Sequence, residues 1–299
     1  MPATLGHIGI QTVLTRLGYR RADFKWILLG CILPDLPWIG QRLAGAFTDL
    51  PPIEVRIYAI AQSSLAVSLL LCAALALFSR NRLAVFLTLA AGSLLHLLLD
   101  ALQTKIGNGV LLFAPFDWHL TNFGLFWPED SATLIFFALG LGVLAYIAVR
   151  ERPDGSDLIL PRKGAALAVL LLMTAYLTAP LALRSSVLAA DLHDVATLAD
   201  AENRTGKELE LDRARLIIEN REPTLAIWTR ERLTVTGSAT GVLTEPAKVS
   251  IRGRFESPTT LEVTLMQWHH GQLRDWASYL GLAVIALWWA FSLLHRLRR

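Results

Sequence analysis

The chain has 299 residues, of which 54% are hydrophobic and only 18% charged, with a net charge of +3 and a mean hydropathy of +0.45. Soluble domains carry about 45–50% apolar and about 25% charged residues, so one ordinary soluble domain is a poor description of the whole chain. The basic residues gather at the ends of apolar blocks and form no patch interleaved with aromatics, which argues against a nucleic-acid partner.

Residues 4–18 read as a short amphipathic helix, either half-buried or interfacial. The block 24–40 is apolar but carries Pro34, Asp35 and Pro37. Five further blocks, 56–79, 83–102, 131–149, 164–189 and 277–295, reach or approach the span of about 20 residues needed to cross a bilayer. These blocks predict an α-helical integral membrane protein with about six spans plus a short N-terminal helix. The N-terminus lacks a basic stretch ahead of an apolar run, so insertion is expected to use the internal spans. Cys31 and Cys72 both lie in apolar blocks and make neither a disulfide framework nor a zinc knuckle.

Charge sets the expected orientation. Arg16, Arg20, Arg21 and Lys25 flank the first turn, Arg80 and Arg82 the next, and Arg150, Arg152, Arg162 and Lys163 the one after. His295, Arg296, Arg298 and Arg299 end the chain. With alternating helices these fall on one side, which is assigned to the cytoplasm of a bacterial-type inner (plasma) membrane. The loops 41–55 and 103–130 then face outward, as does 190–276.

That last segment has a different texture. Residues 184–203 extend the preceding span as an amphipathic helix. Short alternating runs follow at 207–212, 215–219, 224–230, 232–237, 248–254 and 260–268, separated by turn signals at 236–238, 245–246 and 257–258. They predict a small β-rich extracytoplasmic domain, a barrel or sandwich for which the OB fold is one form. The expected division is a helical membrane domain over 1–189, the β-rich domain over 190–276, and a C-terminal membrane helix with a basic cytoplasmic tail over 277–299.

Ionisable residues inside spans are costly and mark functional sites by default. Asp35 lies in the first ascending helix, and His96 and Asp100 lie four apart on one face of another. Such a pair can bind a metal, let the carboxylate orient the imidazole, or serve as a polar pair holding helices together. If 4–18 descends and 24–40 returns, His7 and Asp35 each stand roughly 18 Å above the turn. His96 stands roughly 21 Å above Arg82, and Ser63 roughly 25 Å above Arg80. His7, Asp35, His96 and Asp100 can therefore converge at one depth near the outer face. Asp117 and His119 follow in the next loop, either as solvated residues or as further members of the site. His269 and His270 are adjacent on a strand, point to opposite faces and are read as structural or interfacial. His193 and His295 have no sharp reading.

Gly6-His7, Leu33-Pro34-Asp35, His96-Leu-Leu-Leu-Asp100 and Gly109-Val-Leu-Leu-Phe-Ala-Pro115-Phe, in that order, resemble the membrane-bound metal-dependent hydrolases, also called LexA-binding, inner-membrane-associated hydrolases. More distantly the pattern is similar to the zinc-dependent phospholipase C group. The resemblance covers roughly 1–130 and omits the β-rich domain. It implies a divalent metal, zinc first and manganese second, held by His7, Asp35, His96 and Asp100. It also implies hydrolysis of an ester or phosphoester such as a lipid headgroup, which would make membrane lipid the partner. Asp117 or His119 would be the spare acid or base. The family usually carries Thr-His-Ser after the Pro-Asp; here the stretch is Arg56 to Leu65, and Ser63 stands where the family has histidine. Arg56, Gln62 and Ser63 are the expected contacts to a phosphate. The alternative is a non-catalytic adaptor whose β-rich domain recognises an envelope protein. A transporter is the third reading, set back by the lack of an inverted repeat.

Overall fold

The computed structural model describes residues 3–219, 222–237 and 246–298; Ser238, Glu245 and Arg299, which figure in the turn and tail expectations, lie outside the described residues. The chain opens with α1 (Thr4–Gly18), α2 (Phe24–Gly30), a 3-10 turn at Leu33–Asp35 and α3 (Leu36–Phe47). It continues through α4 (Pro52–Gln62), α5 (Leu65–Ala76), α6 (Arg82–Leu102), α7 (Ser131–Arg150) and α8 (Lys163–Ala182). The short helices α9 (Arg184–Ala189) and α10 (Val195–Ala199) lead into strands β1 (Glu208–Glu219), β2 (Glu222–Ala226), β3 (Arg232–Thr236), β4 (Ala247–Ser257) and β5 (Thr260–His269). The chain then returns through α11 (Leu273–Leu297).

Four stretches among the described residues are long and apolar enough to cross a membrane: α6, α7, α8 with α9, and α11. A fifth exists if α4 and α5, bent by 71°, are taken together. The continuous apolar run 56–79 hides this bend. Ser63 and Ser64 turn their hydroxyls back onto the carbonyls of Ile60 and Ala61, at 3.0 and 2.8 Å. That local bonding competes with the helical ladder. The freed Leu65 N–H donates to the Leu111 carbonyl instead. The block 24–40 likewise is not one helix. Pro34 starts the 3-10 turn and Pro37 sits in the first turn of α3, so the chain breaks after Cys31 and restarts.

The first helix is packed inside rather than lying on a surface. His7, Gln11 and most of its first half are buried, against α7, α11 and α6. Glycine makes this possible: a Cβ at Gly9 would stand 2.6 Å from Gly140 N, and one at Gly140 would stand 2.3 Å from Leu5 O. A second close approach, where a Cβ on Gly92 would stand 2.9 Å from Gly30 Cα, brings α2 onto α6.

The segment after α8 differs from the expected single helical extension. It is broken at Asp191, His193 and Asp194, which all have positive φ. Asp191 caps the restart, accepting the N–H groups of Ala196 and Thr197 at 2.7 and 3.1 Å.

The strands close into a barrel in the order β1-β2-β3-β5-β4, antiparallel except for β3 with β5. Thirteen buried apolar residues, among them Leu209, Leu216, Ile251 and Phe255, give it a core of its own. The runs 207–212 and 215–219 are one strand, not two. A bulge between Leu211 and Ala214 shifts the register against β4, so Leu211 and Leu216, an odd number of residues apart, both point inward. The two residues in the bulge, Asp212 and Arg213, leave the pairing, and Arg213 takes φ 58°.

Candidate metal and anion site

The site begins with the break after Cys31. Because the chain stops being helical there, the Cys31 carbonyl is free to accept the Nδ1–H of His96 at 2.7 Å. A carbonyl only accepts, so this bond fixes the tautomer and leaves Nε2 as the ring's outward atom. Nε2 faces Asp35 Oδ1 at 3.4 Å and Asp100 Oδ2 at 3.9 Å. His7 comes in from α1 with Nε2 3.3 Å from Asp100 Oδ1. The two imidazoles stack, centroids 4.2 Å apart and planes 12° from parallel.

His7 Nε2, His96 Nε2, Asp35 Oδ1 and Asp100 Oδ1 are all buried, and none has a hydrogen-bond partner. One ligand atom each from His7, His96 and Asp100 lies within 4.8 Å of the others. Orphaned buried polar atoms are costly singly, at about 1–3 kcal/mol each. Three of them, on His7, His96 and Asp100, lie close enough together to share one cation, with Asp35 Oδ1 beside His96. Protonating both rings is a poorer resolution, because two stacked imidazolium rings would repel. A set of imidazole and carboxylate donors is one that can hold a divalent metal ion.

Neighbours hold these groups. Lys105 Nζ lies 3.6 Å from Asp100 Oδ2. Gln11, one turn beyond His7, has its amide 3.4 Å from His7 Nδ1. Its Oε1 is otherwise unpartnered, so the amide orientation with Oε1 accepting from Nδ1–H satisfies both groups and bares His7 Nε2.

Above the cluster is a cavity of about 350 Å³, floored by Asp35, His96 and Asp100 and walled by cations. Arg42, Arg56 and Lys105 come from the helical part; Arg213 comes from the barrel and Arg274 from α11. The Arg56 guanidinium lies between Trp38 and Trp228, 4.8 and 5.1 Å from their rings. Asp212 adds a carboxylate to the wall, held by Asn108 Nδ2 at 2.9 Å and Ser250 Oγ at 2.8 Å. Behind it, His269 lies 2.7 Å from Ser250 Oγ and 2.9 Å from Glu129. Burial, and then the charge of Arg213, press the pKa of His269 downward. Glu129 also pairs with Arg213 at 2.9 Å. Next to the cavity, burial and the Arg56 charge push His193 down to about 3.

Of the residues singled out from sequence, His7, Asp35, His96 and Asp100 come together, and Arg56 and Ser63 line the cavity above them. Gln62 does not; it faces the far side of α4, with its amide 3.4 Å from Tyr58 OH. Asp117 and His119 are exposed, bonded to each other at 2.6 Å, and are not among the residues lining the cavity. Gln11, Trp38, Arg42, Lys105, Asp212, Arg213, Trp228 and Arg274 were not anticipated. Only Gln11, on the face of His7, left a signal in the helical spacing. No family model matches the chain, and neither a curated protein nor a solved structure matches it.

Proposed function

We propose that the chain is a multi-pass inner-membrane protein and a metal-dependent hydrolase of an anionic ester, a phosphoester before a carboxylic ester. The observation that carries this reading is the convergence of three buried ligand residues, His7, His96 and Asp100, with Asp35 beside His96, beneath a wall of cations. The motif resemblance over 1–130 points the same way. The strand order and the parallel β3–β5 pair support an OB-type reading of the barrel, and the charge pattern supports an outward-facing barrel.

A divalent cation held by these residues would supply Lewis acidity and activate water near neutral pH. The chain's own residues do the rest. His7, His96, Asp35 and Asp100 would be the ligands. Cys31 and Gln11 fix the faces of the two imidazoles. Arg56 is a rigid, sandwiched guanidinium suited to fork onto a phosphate, and Arg213 brings a second charge from the barrel. Asp212, lining the same cavity, takes the acid–base place that the sequence had offered to Asp117 and His119. Ser63, in place of the family's histidine, keeps its hydroxyl on the Ile60 carbonyl; it would shape the wall rather than ligate.

The test is metal content by mass spectrometry on detergent-purified wild type and His96→Ala. About one or two zinc or manganese ions per chain, lost in the variant, is expected. No metal in either after metal is added back would refute the reading and turn attention to the barrel as a binding module.

A further inference from the structure

Strand β1 carries its bulge opposite a single residue of β4. Leu211 pairs with Ile251 and Ala214 with Val249, so Asp212 and Arg213 together face Ser250. A bulge of this kind re-aims side chains. Here the Arg213 N–H donates to Ser250 Oγ at 3.0 Å, and Ser250 Oγ lies 2.8 Å from Asp212 Oδ1. On its other side Ser250 pairs with Gln267 of β5, which makes His269 its diagonal neighbour. His269 Nε2 lies 2.7 Å from Ser250 Oγ, and His269 Nδ1 lies 2.9 Å from Glu129 Oε1. Four side chains thus run in one line, Asp212, Ser250, His269 and Glu129. Asp212 lines the polar cavity; Ser250 and His269 are buried behind it.

This line is one hydrogen short when both carboxylates are ionised and His269 is neutral. Nδ1–H then goes to Glu129, and the single Ser250 hydrogen serves Asp212 or Nε2 but not both. One contact, at 2.7 or 2.8 Å, sets lone pair against lone pair. One added proton completes every bond. It can sit on Nε2, which donates to Ser250 while Ser250 donates to Asp212. It can equally sit on Asp212 Oδ1, which donates to Ser250 while Ser250 donates to Nε2. Two short hydrogen shifts interchange these forms, and no heavy atom is displaced. The charges at the two ends differ. Asp212 looks into a cavity with Arg56, Lys105 and Arg274, and His193 is close by. His269 has Glu129 on one side, Arg213 near it, Asp212 beyond Ser250, and the Trp127 ring 6.2 Å away. Lys248, opposite His269 in the register, is taken up by Asp275 at 2.7 Å. Glu129 can balance an imidazolium, while burial and Arg213 keep the ring a weak base that gives back what it takes.

We infer that Ser250 and His269 form a proton store behind Asp212, holding the proton of the attacking water until it is returned to the leaving oxygen. The inference rests on the hydrolase reading for the reaction, and adds Ser250, His269 and Glu129 as positioning residues that act through Asp212. As the water oxygen bonds to phosphorus, its O–H bond breaks and the proton passes to Asp212 Oδ1. Asp212 passes it to Ser250 Oγ while the Ser250 hydrogen moves to His269 Nε2. When the ester P–O bond breaks, the same shifts run backwards and the proton forms the O–H of the leaving alcohol. Over the cycle the store gains and loses one proton.

The test joins a spectroscopic and a kinetic readout on the detergent-purified full chain. Ring 15N shifts are recorded without added metal, with His269 assigned by its loss in His269→Gln. Nε2 should gain the proton as pH falls while Nδ1 stays protonated; Nδ1 as the titrating nitrogen would overturn the inference. Kinetics use methyl phenyl phosphate, whose leaving oxygen needs a proton, and methyl 4-nitrophenyl phosphate, whose leaving oxygen needs it far less, with zinc or manganese supplied. Ser250→Ala should lower kcat for the phenyl ester at least about tenfold, within what general acid–base catalysis supplies, and lower it less for the 4-nitrophenyl ester. In wild type the acid limb of kcat should follow the His269 titration, because a protonated ring cannot take the water's proton, and Ser250→Ala should separate the two. Ser250→Thr, which keeps the hydroxyl, should recover the activity. His269→Gln breaks the line at a second place, and thermal melts identify the folded variants. Equal losses on both esters, or none, would remove the store and keep the hydrolase. No turnover of either ester removes the hydrolase reading, and the titrating nitrogen then decides whether the line holds a proton.

Discussion

The Nδ1–H of His96 reaches the Cys31 carbonyl at 2.7 Å only because Gly30 and Gly92 let α2 and α6 touch. A helix break supplies the acceptor and a glycine contact supplies the distance. Gly92→Ala places a methyl 2.9 Å from Gly30 Cα and must push the helices apart. The His96 ring then loses its orienting bond. Losing such an outer partner typically costs 10–100-fold in metal affinity, so we expect a drop of about that size with His96 itself intact. Zinc titration of wild type and variant reads it directly; equal affinities would show that the ring is held by something else.

Gln11 makes an independent case on the other imidazole. Gln11→Leu keeps the helix and the volume but removes the amide beside His7 Nδ1. Metal affinity should fall about tenfold or more, while Gln11→Glu, which can still accept from Nδ1–H, should recover most of it. If both variants behave alike, the amide is packing rather than orienting His7.

The cationic wall makes a kinetic prediction. Arg56 and Arg213 come from different parts of the fold and meet only at the cavity. Arg213→Ala should raise KM for an anionic substrate by about tenfold or more with a smaller change in kcat, because it removes ground-state as well as transition-state binding. Arg56→Lys should fail to restore an Arg56→Ala loss, since a point charge cannot stack between Trp38 and Trp228. Steady-state kinetics at two ionic strengths would check both, and a loss confined to kcat would contradict the binding role.

How much of this was readable beforehand follows from range. His96 and Asp100 declare themselves because helical spacing puts them on one face, and the depth of His7 and Asp35 follows from rise per residue. The barrel's share was invisible. Asp212 and Arg213 reach the cavity through a bulge and a positive φ, and nothing in a non-glycine pair announces either. The bend at Ser63–Ser64 was hidden by unbroken hydrophobicity, although two serines in such a run are a local cue. Asp117 and His119 looked close to the site because they follow Asp100 by a short stretch of chain. The loop instead carries Gly107 and Asn108 against Glu210 and Asp212 of β1 and leaves the later pair in solvent.

The junction before the barrel gives a pH prediction. Asp194 is half-buried, and burial pushes its pKa up from 3.8 to about 7, against the single N–H it accepts from Glu210 at 3.0 Å. The folded state therefore binds this proton more tightly than the unfolded chain does. The stability tied to it is complete below about pH 4 and is lost as pH rises through 7. Asp194→Asn keeps an acceptor for Glu210 N and cannot ionise. It should match wild type at pH 4 and exceed it at pH 8 by about 1–2 kcal/mol, the remaining solvent contact reducing the full effect of the shift. Thermal melts of both proteins across that range would test it: parallel curves would mean that Asp194 ionises in the folded state as freely as in the unfolded chain, and that the broken turn at 191–194 carries no buried proton.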